Sequence, residues 1–257
     1  MQNNIFSTLF VGQNLIKLPA VDSTNNYLKN LVSNSEPLPE GTVIMAEDQF
    51  AGRGQQQNSW HAEPGKNLTF SILLRPFFLP IGKQFLVNMT VSVAINNALS
   101  GLGINGACIK WPNDIYFFDQ KLGGVLIENS LVGSVIKTAV IGIGINVNQT
   151  NFGQLLPRRA TSISQILQED VNLDRLLIEI CSQIEYVYLQ LKAGKYAEIR
   201  ESYLKKLYRI GIPAKYRSGT DVWEGTIKGI SDAGLLQLEK DGSLQEFNFK
   251  EIEFIIS

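Results

Sequence analysis

Apolar residues recur at helical spacing in several parts of the chain. Between residues 82 and 102, Phe85, Met89 and Val93 lie four positions apart, and glycines end the stretch. Because side chains four positions apart share one face of a helix, this spacing predicts a long helix with a glycine-rich end. Further helices are predicted within residues 20–32, 172–194 and 195–207.

Other stretches are rich in β-branched and aromatic residues, which is typical of strands. Turns are predicted at Asp119-Gln120 and at Gly133, where polar residues or glycine separate two apolar runs. Consecutive hairpins of this kind make an antiparallel or mixed sheet. The predicted strands lie within residues 41–49, 67–76, 107–111, 114–129 and 133–148, and a strand also ends at residues 20–21.

The pattern changes after residue 211. Short alternating strands follow one another, separated by Gly219, Asp232 and the Asp241-Gly242 pair. This pattern predicts a small β-barrel. We therefore predict an α+β fold with two domains, residues 1–208 and 209–257, in which helices flank the mixed or antiparallel sheet of the first domain.

The composition is that of a soluble globular protein, with 44% hydrophobic residues, 18% charged residues and a net charge of −1. A surface that binds nucleic acid normally carries clustered Lys and Arg, so we expect no nucleic acid partner. We expect no secretory signal, because the first residues lack a basic region followed by a continuous apolar core, and the longest apolar runs fall short of the ~20 residues that span a bilayer. We therefore expect a cytoplasmic protein without a membrane partner. Cys108 and Cys181 lie among apolar residues, and we expect both to be buried free thiols.

The connection between two predicted strands, residues 51–68, begins with Ala51-Gly52-Arg53-Gly54 and three glutamines. One interpretation is a turn whose glutamines face water. The other is an anion site, because glycines let the backbone approach a ligand and its N–H groups could bind phosphate or carboxylate oxygens together with Arg53. No G-K-[ST] follows, so the segment is not a P-loop. The single histidine, His61, has no serine or cysteine partner identifiable from the sequence, and we expect no catalytic role for it.

A second candidate is the stretch from Lys110 to Glu128. Pro112 predicts a turn, and Asn113-Asp114 could bond the backbone there or reach a ligand or Mg²⁺. Lys121 opens an apolar strand beside Gly123-Gly124. A lysine in a glycine-lined cleft would place a positive charge near an anion, whereas a lysine on an edge strand would only guard against aggregation.

A third candidate is the alternation of glycine and isoleucine over residues 141–146. Glycines in a strand indicate close packing across one face of the sheet. Asn146, at the end of this strand, could instead bond a ligand.

Five motifs follow one another along the chain: Asp22 to Asn25, Glu47 to Gly54 with Trp60 downstream, Lys110 to Asp114, Lys121 to Gly124, and Gly142 to Val147. Each is weak alone, but the ordered set resembles the biotin protein ligase family from about residue 15 to the C-terminus. The resemblance implies a catalytic domain similar to class II aminoacyl-tRNA synthetases, followed by an SH3-like β-barrel.

The resemblance implies an ATP-dependent, AMP-forming ligase. Biotin and MgATP would give biotinyl-5′-AMP and pyrophosphate, and the biotinyl group would then pass to one lysine of a biotin carboxyl carrier domain. ATP and Mg²⁺ would act as cosubstrate and metal without a tightly bound prosthetic group, in a monomer or a homodimer. The alternatives are a lipoate or octanoate ligase or transferase of the same fold, and a non-catalytic biotin-binding sensor module.

Some family members carry an N-terminal DNA-binding domain. Here only about twenty residues precede Ser23, so the chain resembles the enzyme-only class.

The family's residue roles can be carried to matching positions. Lys121 would bridge the biotin carboxylate and the α-phosphate, Arg53 would support the same oxygens, and Asp114 would hold Mg²⁺. The implied biotin-binding residues are Ser23, Thr24, Asn25, Gln49, Gly52, Arg53, Gly54, Gln55, Lys121 and Gly124. The implied nucleotide-binding residues are Arg53, Trp60, Lys110, Asn113, Asp114, Lys121 and Asn146.

Biotinyl-AMP is a mixed anhydride that water hydrolyses, so the resemblance also implies covering loops. Residues 52–60 and 149–161 are expected to cover the site and to be poorly ordered without ligand. Gln55, Gln56 and Gln57 are neutral where some family members carry basic residues. Either backbone N–H groups and amides would replace that charge, or the adenylate would be held more weakly.

Overall fold

The computed structural model describes residues 7–34, 37–55, 58–153 and 160–256. The larger domain is built on a seven-stranded sheet. Its strands are β1 (Leu15–Val21), β2 (Val43–Gln49), β3 (Leu68–Leu74), β4 (Ala107–Lys110), β5 (Asp114–Phe117), β6 (Gln120–Val132) and β7 (Val135–Ile145). They lie side by side in the order β1-β2-β3-β7-β6-β5-β4. β1 runs parallel to β2, and each other neighbouring pair is antiparallel.

Helices lie on both faces of this sheet. They are α1 (Thr24–Asn34), α2 (Phe85–Gly101), α3 (Ile163–Leu167), α4 (Leu173–Lys192) and α5 (Tyr196–Lys205). On one face, Leu28 of α1 packs with Ile44, Leu73 and Val140 of three strands. On the other face, α2 packs against α4 and α5 and contributes to the main core. Most residues of α2 are buried, which suits a helix enclosed between a sheet and two other helices.

The smaller domain is a five-stranded antiparallel sheet that agrees with the predicted SH3-like barrel. Its strands are β8 (Pro213–Ser218), β9 (Asp221–Ile230), β10 (Leu236–Lys240), β11 (Ser243–Phe247) and β12 (Glu253–Phe254), in the order β11-β10-β9-β8-β12. The indole N–H of Trp111 donates to the Gly234 carbonyl at 2.9 Å, and Arg200 donates to the Ile230 carbonyl at 2.6 Å. These bonds attach the smaller domain beside the β4–β5 end of the large sheet.

Backbone hydrogen bonds change partner at the junction of the domains. The Tyr208 amide donates to Ile109 of the large sheet at 2.8 Å, whereas the Gly211 amide donates to Ile227 of the small sheet at 3.0 Å. The boundary between residues 208 and 209 stays a prediction.

The fold class is confirmed: a mixed sheet flanked by helices precedes a small β-domain. α2 begins at Phe85, after a 3-10 turn over Ile81–Lys83, and not at residue 82. The short α3 was not predicted, because five residues give too little periodicity. Only the end of β1 was predicted, since Pro19 interrupts the pattern; proline is tolerated there because β1 is an edge strand.

The two thiols differ in exposure. Cys181 is buried as predicted, but the prediction of a fully buried Cys108 is wrong, because its side chain is half-buried. Burial, followed by the nearby Asp119 carboxylate, raises the pKa of Cys108 to about 11. No helix among the described residues is both long and apolar enough to cross a membrane.

Candidate functional site

A cavity of about 170 Å³ lies where the predicted motifs meet. Every implied site residue except Gly52 and Asn146 lies in its wall. These are Ser23, Thr24, Asn25, Gln49, Arg53, Gly54, Gln55, Trp60, Lys110, Asn113, Asp114, Lys121 and Gly124. The structure therefore brings together side chains from α1, β2, the 51–60 segment and the β4–β6 strands.

Glycines of β7 make room for the cavity. A Cβ at Gly142 would lie 2.6 Å from Asn25 Oδ1, and a Cβ at Gly144 would lie 2.5 Å from Cε2 of Trp60. Real Cβ atoms do not approach so closely. The two glycines therefore leave room for the side chains of Asn25 and Trp60, which pack against the same face of the sheet.

One end of the cavity is a network of polar side chains. The Thr24 amide and hydroxyl both donate to Gln49 Oε1, at 2.8 and 3.0 Å. Hydrogen bonds of 2.7 and 2.6 Å join the Ser71 hydroxyl to Thr24 Oγ1 and Asn25 Oδ1. Ser71 was missed from the sequence, although a polar residue in the middle of a buried strand was the available signal.

Lys121 and Asp114 form an ion pair of 2.6 Å in the cavity wall. Lys121 Nζ also lies 6.0 Å from the centroid of a Trp60 ring, within the range of a cation–π contact. The alternative of an edge-strand lysine is wrong, because β6 lies between β5 and β7. The ammonium is therefore directed to a cavity and not to an exposed sheet edge.

Lys110 is the second lysine of the site. Its ammonium lies 5.0 Å from the ring centroids of both Tyr116 and Phe254, so one ring comes from each domain. Burial lowers the pKa of Lys110 below its ordinary value of 10.5, against the opposing effect of Asp114. A partly desolvated ammonium is poised to bind an anion, since the anion would restore the lost charge stabilisation.

Arg53 lies at the rim and is held by acceptors. Its guanidinium donates to Asn26 Oδ1 at 2.5 Å and to Glu128 Oε1 at 3.0 Å. Glu128 was missed from the sequence. The signal was a carboxylate inside the apolar part of β6, where a charge needs partners.

Two buried polar atoms of the site have no hydrogen-bond partner within the described chain: Gln55 Oε1 and Trp60 Nε1. Buried polar groups are nearly always paired, so an unpaired acceptor and an unpaired donor in one cavity wall indicate a ligand that offers both.

Gly52 and Asn146 lie outside the cavity wall. A Cβ at Gly52 would meet the Trp60 carbonyl oxygen at 2.4 Å, so Gly52 lets the segment fold onto itself. The side-chain amide of Asn146 donates to the Thr161 carbonyl at 3.0 Å. Their predicted biotin and nucleotide contacts stay predictions.

His61 has a serine neighbour that was not identified from the sequence, and the absence of a catalytic role for His61 stays a prediction. Ser59 Oγ lies 2.7 Å from His61 Nε2, and both residues are exposed. The predicted disorder of the covering loops falls partly on residues 56–57 and 154–159, which lie outside the described residues.

Two further cavities adjoin the first. One of about 740 Å³ shares Lys110, Trp111 and Phe249 with it, and one of about 400 Å³ shares Gln55, Trp111 and Phe249. Trp111 and Phe249 thus line all three, with ring centroids 6.2 Å apart. Because Phe249 follows β11, the smaller domain contributes directly to the site.

Asp114 was the predicted Mg²⁺ ligand. The described residues contain no cluster of three or more metal-binding side chains. Mg²⁺ in nucleotide sites is usually held by one or two carboxylates together with substrate phosphates and water. A single carboxylate in the cavity wall therefore fits a metal that arrives with the nucleotide.

A mixed sheet flanked by helices, an appended β-domain and a cavity lined by lysines and arginine define a two-domain protein with a site suited to an anionic ligand. Residues 18–146 match the model of the biotin/lipoate A/B protein ligase family, and residues 210–254 match the biotin protein ligase C-terminal domain. The chain belongs to this family, and the resemblance to biotin protein ligases is confirmed.

Three relatives illustrate the similarity. The bifunctional ligase/repressor BirA of Bacillus spizizenii is 31% identical over 250 residues, which cover 96% of this chain and 75% of that protein. The biotin–[acetyl-CoA-carboxylase] ligase of Paracoccus denitrificans is 29% identical, with coverage of 92% and 99%. The biotin protein ligase of Aquifex aeolicus, solved in complex with biotin and ATP, is 27% identical with a TM-score of 0.80, covering 95% and 99%.

Proposed function

We propose that this chain is a biotin protein ligase, which forms biotinyl-5′-AMP and pyrophosphate from biotin and ATP and then biotinylates a lysine of a carrier domain. The observation that carries the proposal is the position of Lys121. Lys121 lines the same cavity as the polar residues 23–25 and 49 and as Lys110 and Asn113, and its ammonium is paired there with Asp114 at 2.6 Å. The similar Aquifex aeolicus ligase binds biotin and ATP.

Biotin would be recognised by groups with fixed donors and acceptors. Ser23, Thr24 and Asn25 are buried at the polar end of the cavity beside Gln49. A ureido ring offers N–H donors and a carbonyl acceptor, so these groups would bond it and would be left unpaired by a ligand without them.

Adenylation requires no nucleophile from the protein. A carboxylate oxygen of biotin attacks the α-phosphorus of ATP, the bond to the bridging oxygen breaks, and pyrophosphate leaves. Negative charge gathers on the oxygens around phosphorus, where Lys121 and Arg53 would stabilise it and hold both reactants in line. Asp114 would hold Mg²⁺, which would supply further neutralisation of the phosphates. Asp114 would then exchange its ion pair with Lys121 for the contact with Mg²⁺.

Transfer uses the mixed anhydride formed in the first step. The neutral amine of the carrier lysine attacks the biotinyl carbonyl carbon, an amide forms, and AMP leaves. Water competes for the same carbonyl, so the site has to exclude it. Trp60 and the segment around Gly54 would cover the adenylate, since both lie in the cavity wall.

The test is incubation of the chain with biotin, MgATP and a biotin carboxyl carrier domain, followed by mass measurement of the carrier. We expect the addition of one biotinyl group and pyrophosphate exchange that depends on biotin. Exchange with lipoate and not with biotin would favour the lipoate branch of the family. Biotin binding without exchange would indicate a sensor module.

A further inference from the structure

Glu128 connects two parts of the site without lying in the cavity wall. It projects from β6, and its side chain is 21% exposed. One oxygen accepts from Lys29 at 2.8 Å and from Arg53 at 3.0 Å. The other accepts from Asn25 at 2.9 Å and from Arg53 at 3.4 Å. The carboxylate thus binds both terminal nitrogens of the Arg53 guanidinium and one member of the polar network.

Arg53 connects the 51–60 segment to the large sheet. Within the described part of the 51–60 segment, the Gly54 amide donates to Asn58 at 2.7 Å and the Trp60 amide donates to Gly52 at 2.8 Å. These bonds make residues 51–55 and 58–60 a folded unit, called here the covering loop. Arg53 links this unit to the sheet through Glu128, and the Trp60 ring packs on Gly144.

The partners of Glu128 keep it charged. Burial would raise its pKa, but hydrogen bonds from Lys29, Asn25 and Arg53 outweigh burial and hold the pKa below the ordinary value of 4.5. Carboxylate contacts of this kind are about twice as strong as those between neutral groups. Glu128 can therefore fix the covering loop at neutral pH.

We propose that Glu128 is a positioning residue that fixes Arg53, and through it the covering loop, over the reactive adenylate. The inference rests on the proposed function, because it concerns retention of biotinyl-AMP. Glu128 takes no part in bond making. Loss of its carboxylate releases Arg53 but does not remove the guanidinium, which can still reach the α-phosphate oxygens. We therefore expect the adenylate to escape faster, with a much smaller change in the adenylation step.

The test compares Glu128→Gln with the parent. Glutamine keeps the shape and can still accept from Asn25, but it removes the charge that holds Arg53. Enzyme loaded with biotin and ATP is freed of unbound ligand, and release of biotinyl-AMP into solution is followed with time. We expect release to be about ten-fold faster, which is the size of one charge-assisted contact, with biotin-dependent pyrophosphate exchange within a few-fold of the parent.

Lys29→Gln is the matched control. It removes the other cation bound to Glu128, but Lys29 belongs to neither the covering loop nor the cavity wall. We expect its release rate to equal that of the parent. Equal acceleration in Lys29→Gln and Glu128→Gln would overturn the proposal, because the effect would then follow charge balance and not the contact with Arg53.

A double variant tests the route through Arg53. If Glu128 acts by fixing Arg53, Glu128→Gln adds no further acceleration in an Arg53→Gln background. Additive effects, or unchanged release in Glu128→Gln alone, contradict the proposal.

If Glu128→Gln melts at a clearly lower temperature than the parent, Glu128→Asp is measured in its place. Aspartate keeps the charge but has a shorter reach, so we expect a rate of adenylate release between those of the parent and Glu128→Gln. If the parent protein shows no biotin-dependent pyrophosphate exchange, the proposed ligase function is contradicted and not only the role of Glu128. The two outcomes can therefore be told apart.

Discussion

Lys121 is held by one carboxylate. Asp114 lies 2.6 Å from its ammonium, and a Cβ at the neighbouring Gly124 would lie at ordinary contact distance, 3.6 Å, from Nζ. The ammonium can therefore pass from the carboxylate of Asp114 to the oxygens of a substrate.

Replacing Lys121 with Met preserves most of the side-chain volume and removes the charge. We expect the rate of biotinyl-AMP synthesis to fall by about 10²- to 10³-fold, as for loss of one preorganised donor to a transition-state oxygen. Biotin binding, measured by calorimetry without ATP, should change only a few-fold because the polar network remains. Lys137→Met, an exposed change on β7, should leave both quantities unaltered. Synthesis within a few-fold of the parent in Lys121→Met would remove the role assigned to it.

The charge of Glu128 also predicts a dependence of stability on pH. Its folded pKa lies below the ordinary 4.5, so its ion contacts stabilise the fold above about pH 4.5 and are lost as the pH falls through the folded pKa. We expect the difference in unfolding free energy between the parent and Glu128→Gln to be constant near neutral pH and to shrink below about pH 4.5. Urea unfolding of both proteins at several pH values measures this free-energy difference. A difference that grows with acidity would contradict this sign.

Strand β7 shows how a whole element shapes the site. Its glycines alternate because Asn25 and Trp60 occupy the same face of the sheet. From the sequence, the alternation indicated only close packing, since a strand pattern identifies a face but not the side chains that will cover it.

Gly144→Ala is expected to displace Trp60, because the added Cβ would lie 2.5 Å from its ring. Overpacking of this kind costs about 1–3 kcal/mol, so we expect weaker biotin binding and faster loss of the adenylate. Fluorescence or calorimetric titration with biotin measures the first effect. Gly101→Ala, at a position with nothing within 4 Å of the new Cβ, is the control for a glycine-to-alanine change. Equal effects in both variants would contradict the role of Gly144.

At the scale of the whole molecule, the small domain completes the site of the large one. Phe249 contributes to the wall of all three adjoining cavities, and Phe254 supplies one of the two rings beside Lys110. The two adjoining cavities, of about 740 and 400 Å³, are lined by residues of both domains. We therefore expect a bound adenylate to contact the small domain as well as the large one.

Phe249→Ala is expected to open this junction to water. We expect more AMP to be formed for each carrier biotinylated, with biotin affinity near that of the parent, because the apolar Phe249 ring is not a member of the polar network. The ratio of AMP to biotinylated carrier measures the effect. Leu244→Ala, an exposed change on β11 of the same domain, should leave the ratio unchanged. An unchanged ratio in Phe249→Ala would show that the small domain does not protect the adenylate.

Much of this protein is determined by the sequence itself. Helices, strands and turns depend on residues within a few positions of one another, so periodicity located most of them. The ordered motifs, from Ser23 to Asn146, identified the family and most of the cavity wall. Glycine runs, and single charged residues in apolar strands such as Lys121, identified candidate site positions. They did not determine which residues those positions contact.

The tertiary structure alone decided which distant residues meet. Arg53 and Glu128 are 75 positions apart, and Asn25 and Ser71 are 46 apart. Their contacts depend on the order and register of the strands, which local patterns do not specify. From the sequence, Lys121 could be an anion-binding residue in a cleft or a lysine that protects an exposed strand edge from aggregation. The position of β6 between β5 and β7 excludes the second interpretation. The physical reason is that periodicity determines which face a residue lies on, whereas long-range packing determines what that face touches.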